Sequence, residues 1–269
     1  MKELSAHQPI GIFDSGIGGL TVANAIVRHL PNEKIIYFGD TAHLPYGDKS
    51  LDAIRYFSIR ITKFLIDKGC KMIVIACNSA STAANDMLKE FYKNQVHFVN
   101  VVDPLVEIAI QKGYKKVGII ATKATVASRV YESKFAEKAP NVNVISLATP
   151  LLAPMIEEGF IHNNISQSII NQYLSNPIFE DIDVMLLACT HYPLIKQEIE
   201  SFFQGKVDVL DSTDIVAEKV KSLLSEYDQV NNEPHPKYQF YVSDFTQSFE
   251  NTARSFYSHD IHLEHFPLW

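Results

Sequence analysis

The sequence predicts an α/β protein made of two similar doubly wound parallel-sheet lobes, and three observations carry that prediction. Short β-branched runs alternate with helical patterns almost from end to end, as strands joined by crossover helices do. Several runs are apolar on both faces, which suits a parallel sheet covered by helices on each side. Two strings also repeat in the same order. Ile10-Gly11-Ile12-Phe13-Asp14-Ser15 matches Val117-Gly118-Ile119-Ile120-Ala121-Thr122, and Ile73-Val74-Ile75-Ala76-Cys77-Asn78 matches Met185-Leu186-Leu187-Ala188-Cys189-Thr190. The offsets are nearly equal, 107 positions (10 to 117) and 112 (77 to 189). Each half therefore holds one strand ending in a hydroxyl residue and a later strand ending in a thiol.

Residues 9–13 form the first strand, and a glycine turn leads into a helix over 20–30 with Leu20, Ala23, Val27 and Leu30 on one face. Residues 35–38 are the next strand. A long helix follows over 50–68, capped by Ser50, with Leu51, Ile54, Phe57, Ile61 and Leu65 as its buried stripe. Residues 71–76 are a strand, apolar from Met72 onward, 80–92 a helix and 96–101 a strand. The second lobe takes residues 103–207. A strand at 207–210 and a helix over 212–226, capped by Ser212 or Thr213, come after it. The polar stretch 228–237, with Asn231, Asn232, Pro234 and Pro236, has the composition of a surface linker. A strand at 238–242, a helix over 245–257 and a strand at 262–266 bring the chain back to the first lobe, which thus comprises residues 1–102 plus 208–269.

Composition removes several function classes. With 46% hydrophobic and 20% charged residues in 269, the chain is globular and large enough for one or two domains. The balance of 24 Lys+Arg against 31 Asp+Glu, a net charge of −7, disfavours a nucleic-acid face, which needs a basic excess. No apolar run is long enough to span a bilayer, and the first residues carry no apolar export segment, so no membrane association and a cytoplasmic location are expected. The first strand begins so early that a long regulatory extension before it is not expected. Three cysteines, Cys70, Cys77 and Cys189, are too few for a disulfide framework and form no C-x-x-C pair, so no structural metal is expected.

In a parallel α/β sheet, ligands bind outside the carboxyl ends of the strands. Asp14, Ser15, Cys77, Asn78, Thr122, Cys189, Thr190 and His191 all fall at such ends, just before predicted helices. A helix N-terminus favours a bound carboxylate and a thiolate, so each lobe is expected to present an acidified thiol beside hydroxyl and amide donors. The plainer alternative is that a strand-end cysteine is a small core hydrophobe, and that fits Cys70, which has no counterpart in the repeat. Asp14 has three open roles: holding a substrate ammonium, orienting a neighbouring base, or capping its turn. A dinucleotide fingerprint from Gly16 onward fails, because its third glycine would stand at Thr21. The loop over 39–47 is either an ordinary connection or a rim offering N–H groups to an anion. Glu157 by default lies on a solvated helix face. His259, His262 and His265 are better explained as structural than as a metal site.

Four motifs in order, Gly11-Ile12-Phe13-Asp14-Ser15-Gly16-Ile17-Gly18-Gly19, Gly39-Asp40-Thr41-Ala42-His43-Leu44-Pro45-Tyr46-Gly47, Ala76-Cys77-Asn78-Ser79 and Ala188-Cys189-Thr190-His191-Tyr192-Pro193-Leu194, make the chain resemble the bacterial glutamate racemases over essentially its whole length. Two positions depart from the family pattern: Ser79 stands where Thr is usual, and His43 where a longer basic residue is common. Ser keeps the hydroxyl, so affinity rather than chemistry is expected to change. The resemblance implies two flavodoxin-like lobes related by a pseudo-twofold axis with the active site between them. It also implies a cofactor-independent isomerase in which Cys77 abstracts the α-proton of D-glutamate and Cys189 that of L-glutamate. Asp14 and His191 would be their auxiliaries and Glu157 a further helper. Substrate contacts would fall to Asp14, Ser15, Tyr46, Gly47, Asn78, Ser79, Thr190 and His191, with Thr122 at the equivalent strand end. A role in supplying D-glutamate to peptidoglycan and a homodimeric state are implied as well. The rivals are a related racemase acting on aspartate or a hydantoin, a non-catalytic binding protein for an acidic amino acid, and a thiol hydrolase that needs only one cysteine.

Overall fold

The computed structural model describes residues 4–269; residues 1–3, part of the stretch read as lacking an export segment, lie outside it. The first apolar run becomes β1 (Ile10–Asp14), buried along its whole length. The glycine turn then delivers α1 (Leu20–His29), followed by β2 (Ile35–Gly39), α2 (Leu51–Asp67), β3 (Met72–Ile75), α3 (Asn78–Phe91) and β4 (His97–Asn100). The chain crosses through α4 (Val102–Gln111) into β5 (Lys116–Ala121), α5 (Lys123–Ser128), α6 (Val130–Lys138) and β6 (Asn143–Ala148). It continues through α7 (Leu152–Glu157), α8 (Asn164–Leu174), β7 (Val184–Ala188), α9 (Lys196–Phe203) and β8 (Asp208–Asp211). The last elements are α10 (Thr213–Glu226), β9 (Tyr238–Val242), α11 (Gln247–Phe256) and β10 (Leu263–His265). None of these helices is long and apolar enough to cross a membrane.

Two parallel sheets result, in the orders β10-β9-β2-β1-β3-β4 and β6-β5-β7-β8. The run β2-β1-β3-β4 in the first is the run β6-β5-β7-β8 in the second, so the repeated strings occupy equivalent strands of two flavodoxin-like lobes. Phe13 pairs with Ile75 in one lobe and Ala121 with Ala188 in the other. Residues 14–15 therefore emerge beside residues 76–77, and residue 122 beside residue 189. Both emergences flank the point where strand order reverses, the usual place for a ligand in such sheets.

Several boundaries differ from the sequence reading. Residues 208–211 were expected in the first lobe, but β8 pairs with β7, Met185 opposite Val209, and closes the second sheet. The repeat holds no string for this strand, and nothing local marks its partner. Leu51 is 39% exposed instead of buried, because it opens the first turn of α2, whose packed face begins at Ile54. There Ser50 accepts from the Ala53 N–H as expected of the cap. Ser212 precedes α10 without a side-chain capping bond. The stretch 228–237 is irregular but not merely a surface linker. Lys71 Nζ, fully buried, lies 2.7 Å from Glu33 Oε2 and donates to the carbonyls of Ala6 (2.6 Å) and Gln229 (2.8 Å), while Glu33 Oε1 accepts from the Asn231 N–H (2.8 Å). One buried ion pair thus pins four segments together.

The tail does return to the first sheet, β9 pairing with β2 and β10 with β9. The lobes also exchange helices. The buried face of α4 joins the core of the second sheet, and Val216, Ala217 and Val220 of α10 pack into the core shared with α1. This cover explains why Val22, Ala25 and Ile26 are buried on α1 in addition to the predicted stripe.

Candidate active site

The two strand-end cysteines meet at one cavity between the lobes, lined also by Ser15, Leu44, Pro45, Asn78, Ser79, Thr122, Ala153, Pro154, Glu157, Thr190 and His191. Cys77 is the N-cap of α3; its Sγ accepts from the Ala80 N–H at 3.4 Å and lies 3.7 Å from Ser15 Oγ. This contact with the first N–H groups explains why α3 begins two residues earlier than expected. Cys189 differs. It is followed by a 3₁₀ turn, Tyr192–Ile195, and not by an α-helix N-terminus. Its Sγ lies 3.6 Å from His191 Nδ1, and the opposite ring nitrogen of His191 lies 2.8 Å from Glu157 Oε1. Glu157 is therefore no solvated bystander: the end of α7 points it into the cavity.

Electrostatics separate the two thiols further. Burial, reinforced by the Asp14 carboxylate and Cys189, pushes the Cys77 thiol up to about 12, against the lowering by the Ala80 N–H and Ser15. The acidified thiol expected there is not found, because desolvation outweighs the helix terminus. His191 is buried, which opposes its charge, yet hydrogen bonds to Cys189 and Glu157 and their negative charge hold its pKa well above the usual histidine value. Asp14 is fully buried and its carboxyl is raised by that burial, with His191 and the N–H groups of Gly16 and Gly19 acting the other way. Its Oδ2 accepts from the Gly16 N–H at 3.0 Å, so it does cap its turn, and its Oδ1 is 3.4 Å from Thr190 Oγ1.

The hydroxyls cross between lobes. Ser79 Oγ lies 2.9 Å from Thr122 Oγ1, and Thr21 Oγ1, at the position that spoils the dinucleotide fingerprint, donates to the Thr190 carbonyl at 3.0 Å. Tyr46 and Gly47 do not line the cavity. The Tyr46 hydroxyl turns away to Asp40 (2.7 Å), and Gly47 borders the adjoining crevice with Thr122 and Pro154. Asp40 also accepts from Ser243 (2.7 Å) and the Trp269 indole (2.9 Å), and His43 Nδ1 lies 3.0 Å from it. The tail thus braces the rim loop from behind, and the His43 departure falls on that outer side. His259, His262 and His265 take separate neighbours, Tyr257, Glu250 and the Ser243 carbonyl. Cys70 is buried core. Sequence reasoning missed Leu44, Pro45, Ala153 and Pro154 as cavity walls, and Phe256 of α11, whose ring meets His191 edge-on at 5.4 Å. None of these stands out from other apolar residues in a single sequence.

Known proteins match the chain over most of its length. The family described as Asp/Glu/Hydantoin racemase matches residues 10–220. The glutamate racemase of Chlorobaculum tepidum is 38% identical over 256 residues, 94% of each chain. Among solved structures, the glutamate racemase of Francisella tularensis in complex with D-glutamate superposes with a TM-score of 0.91 at 37% identity over 98% of both chains. The glutamate racemase isoform RacE1 of Bacillus anthracis gives 0.92 at 32% identity, over 97% of this chain and 99% of that one.

Proposed function

The chain belongs to the Asp/Glu/Hydantoin racemase family and, within it, to the glutamate racemases, and we propose that Cys77 and Cys189 invert the α-carbon of glutamate by passing one proton each. The observation that carries this reading is that two cysteines equivalent in the internal repeat line one cavity from opposite lobes. Inversion needs an acceptor on one face of the α-carbon and a donor on the other, and two thiols supply both.

In the L-to-D direction Cys189 is the base. His191 takes the proton of its thiol, and Glu157 stabilises the imidazolium so formed. Cys77, which burial keeps as a thiol, delivers its proton to the opposite face. In the reverse direction Cys77 removes the proton, with Asp14 as the nearby carboxyl that manages its protonation. Negative charge that leaves the α-carbon develops on the α-carboxylate, and preorganised donors at the cavity wall hold it: the Ser15 and Thr190 hydroxyls and the linked pair Ser79 and Thr122. The Asn78 amide binds a carboxylate oxygen already in the ground state. Tyr46 and Gly47, which do not line the cavity, act only indirectly by shaping the rim loop. The Ser79 hydroxyl does what the more usual Thr would do, since its bond to Thr122 needs only the oxygen. The product D-glutamate serves peptidoglycan synthesis. We further infer a cytoplasmic homodimer, as the family resemblance implies.

The test is proton NMR and circular dichroism of the protein with D-glutamate in D₂O, without added pyridoxal phosphate. Loss of the α-proton signal together with decay of ellipticity to zero is expected. Binding of glutamate with neither exchange nor inversion would make the protein a binder and remove the catalytic roles. The same assay with aspartate measures substrate choice.

A further inference from the structure

The Asn78 carboxamide is divided between two environments. Its Oδ1 accepts from the Tyr131 hydroxyl at 2.7 Å. Its Nδ2 is buried with no hydrogen-bond partner, although the residue lines the cavity and is only 3% exposed. A buried amide donor left unpaired is costly, and natural interiors rarely keep one without a use. The Tyr131 hydroxyl has no other acceptor among the hydrogen bonds of the described residues, so its proton goes to Oδ1. Turned over, the amide would donate to the Tyr131 oxygen, but the hydroxyl proton would then lack an acceptor and a carbonyl oxygen would face an anionic substrate. Tyr131 itself is fully buried on α6, in the second lobe, whereas Asn78 opens α3 in the first.

We propose that Tyr131 is a positioning residue: its hydroxyl locks the Asn78 amide so that Nδ2 points into the cavity and donates to a carboxylate oxygen of glutamate. Because the bond joins the two lobes, the amide of the first lobe is set by a hydroxyl of the second, through a residue that never touches the substrate. The proposal rests on the reading of this cavity as the glutamate site.

The experiment is a double-mutant cycle over Tyr131→Phe and Asn78→Ala, with kcat and KM measured in both directions by circular dichroism and folding followed by Tm. An interaction present in ground and transition states alike changes KM and leaves kcat. Y131F is therefore expected to raise KM about tenfold for both enantiomers, with kcat within about threefold. N78A is expected to raise KM at least as much, and adding Y131F to N78A to raise it no further. Asn78→Asp, which keeps the acceptor for Tyr131 but replaces the donor by a negative oxygen, is expected to exceed N78A. Wild-type KM in Y131F alongside an impaired N78A overturns the proposal and leaves the site reading intact. An equal KM factor for Y131F in both backgrounds marks a purely structural role and overturns it too. Wild-type KM in N78A overturns it together with the place of Asn78 in the site.

Discussion

Replacing Gly18 by Ala probes how a turn in the first lobe controls chemistry in the second. A Cβ at Gly18 would stand 2.5 Å from His191 Cε1, 2.6 Å from His191 Nδ1 and 2.6 Å from Thr190 Oγ1. This glycine is required by close approach, one of the two reasons a chain keeps one. Ordinary contact starts at 3.4 Å, so the ring must retreat by about 0.9 Å, the difference between 3.4 and 2.5. It has little room to do so. His191 is buried, held by Glu157 at 2.8 Å on one side and by the edge of Phe256 on another. The retreat therefore opens the 3.6 Å contact between Nδ1 and Cys189. Misplacing a catalytic group by about 1 Å costs roughly 10²-fold in rate, equivalent to about 2.7 kcal/mol of barrier.

Displacing Thr190 Oγ1 slows both proton transfers, whereas displacing His191 slows only the one at Cys189, and isotope effects separate the two. Starting from L-[2-²H]glutamate, the impaired step at Cys189 is the one that breaks the labelled bond, so G18A is expected to raise the primary isotope effect. Starting from D-[2-²H]glutamate, the labelled bond breaks at Cys77, which is no longer limiting, and the isotope effect is expected to fall toward unity. Circular dichroism with each labelled enantiomer measures both. A G18A protein that keeps wild-type kcat/KM, or loses rate with both isotope effects unchanged, would refute the assignment of His191 to Cys189.

Three further outcomes follow from the same geometry. Cys77→Ser is expected to abolish inversion in both directions yet still exchange the α-proton of L-glutamate in D₂O, and Cys189→Ser to exchange only D-glutamate; NMR separates exchange from inversion, and near-wild-type racemisation by C77S sinks the two-thiol scheme. Asp14→Asn is expected to abolish activity while raising Tm at pH 7 by about 3 °C. A group whose folded pKa is raised favours the fold below its unfolded pKa and loses that contribution as pH rises through the folded value, so ionised Asp14 is a cost at neutral pH and the gain in D14N should vanish in acid. Lys71→Met leaves Glu33 buried without a counter-charge and is expected to cost about 3–5 kcal/mol in urea unfolding; adding Glu33→Gln should return most of it.

Much of this architecture was legible because the repeat supplied long-range information that a single sequence normally lacks. The matching order of two strings placed β1 with β5 and β3 with β7, and so put Cys77 and Cys189 in equivalent frames before any coordinates. Strand β8 had no string of its own, and its pairing with β7 is a tertiary fact with no local mark. The thiol acidity expected at Cys77 failed for a different reason. The cysteine was expected just before a helix and in fact caps one that starts two residues early, but burial opposes the helix terminus and wins. Glu157 and Tyr131 show a third limit. Each sits in an unremarkable helical stretch and acquires meaning only through one bond, to His191 and to Asn78. Glu157 was reachable through family resemblance; Tyr131 looks in the sequence like any core aromatic.

A two-thiol inversion also explains why the pseudo-symmetry stops where it does. At any moment the reaction needs one sulfur with a proton and one without. Two thiols in identical surroundings would share the same protonation preference, and the productive mixed state would compete with states having both protons or neither. Here the scaffold repeats, strand for strand, but the neighbours of the sulfurs do not. Cys77 has a helix N–H, a serine hydroxyl and a nearby buried carboxylate, and burial keeps its proton. Cys189 has an imidazole within 3.6 Å, itself backed by Glu157. The glycine at position 18 and the hydroxyl of Thr21 admit and hold that second arrangement from the first lobe. Each lobe thus contributes a thiol by descent from the repeat, while the difference between the thiols comes from the neighbours each has in its own lobe, with Gly18 and Thr21 making room from across the interface. A variant that made the two surroundings alike, by giving Cys77 a histidine or removing the one beside Cys189, should lose rate in both directions even with both sulfurs in place.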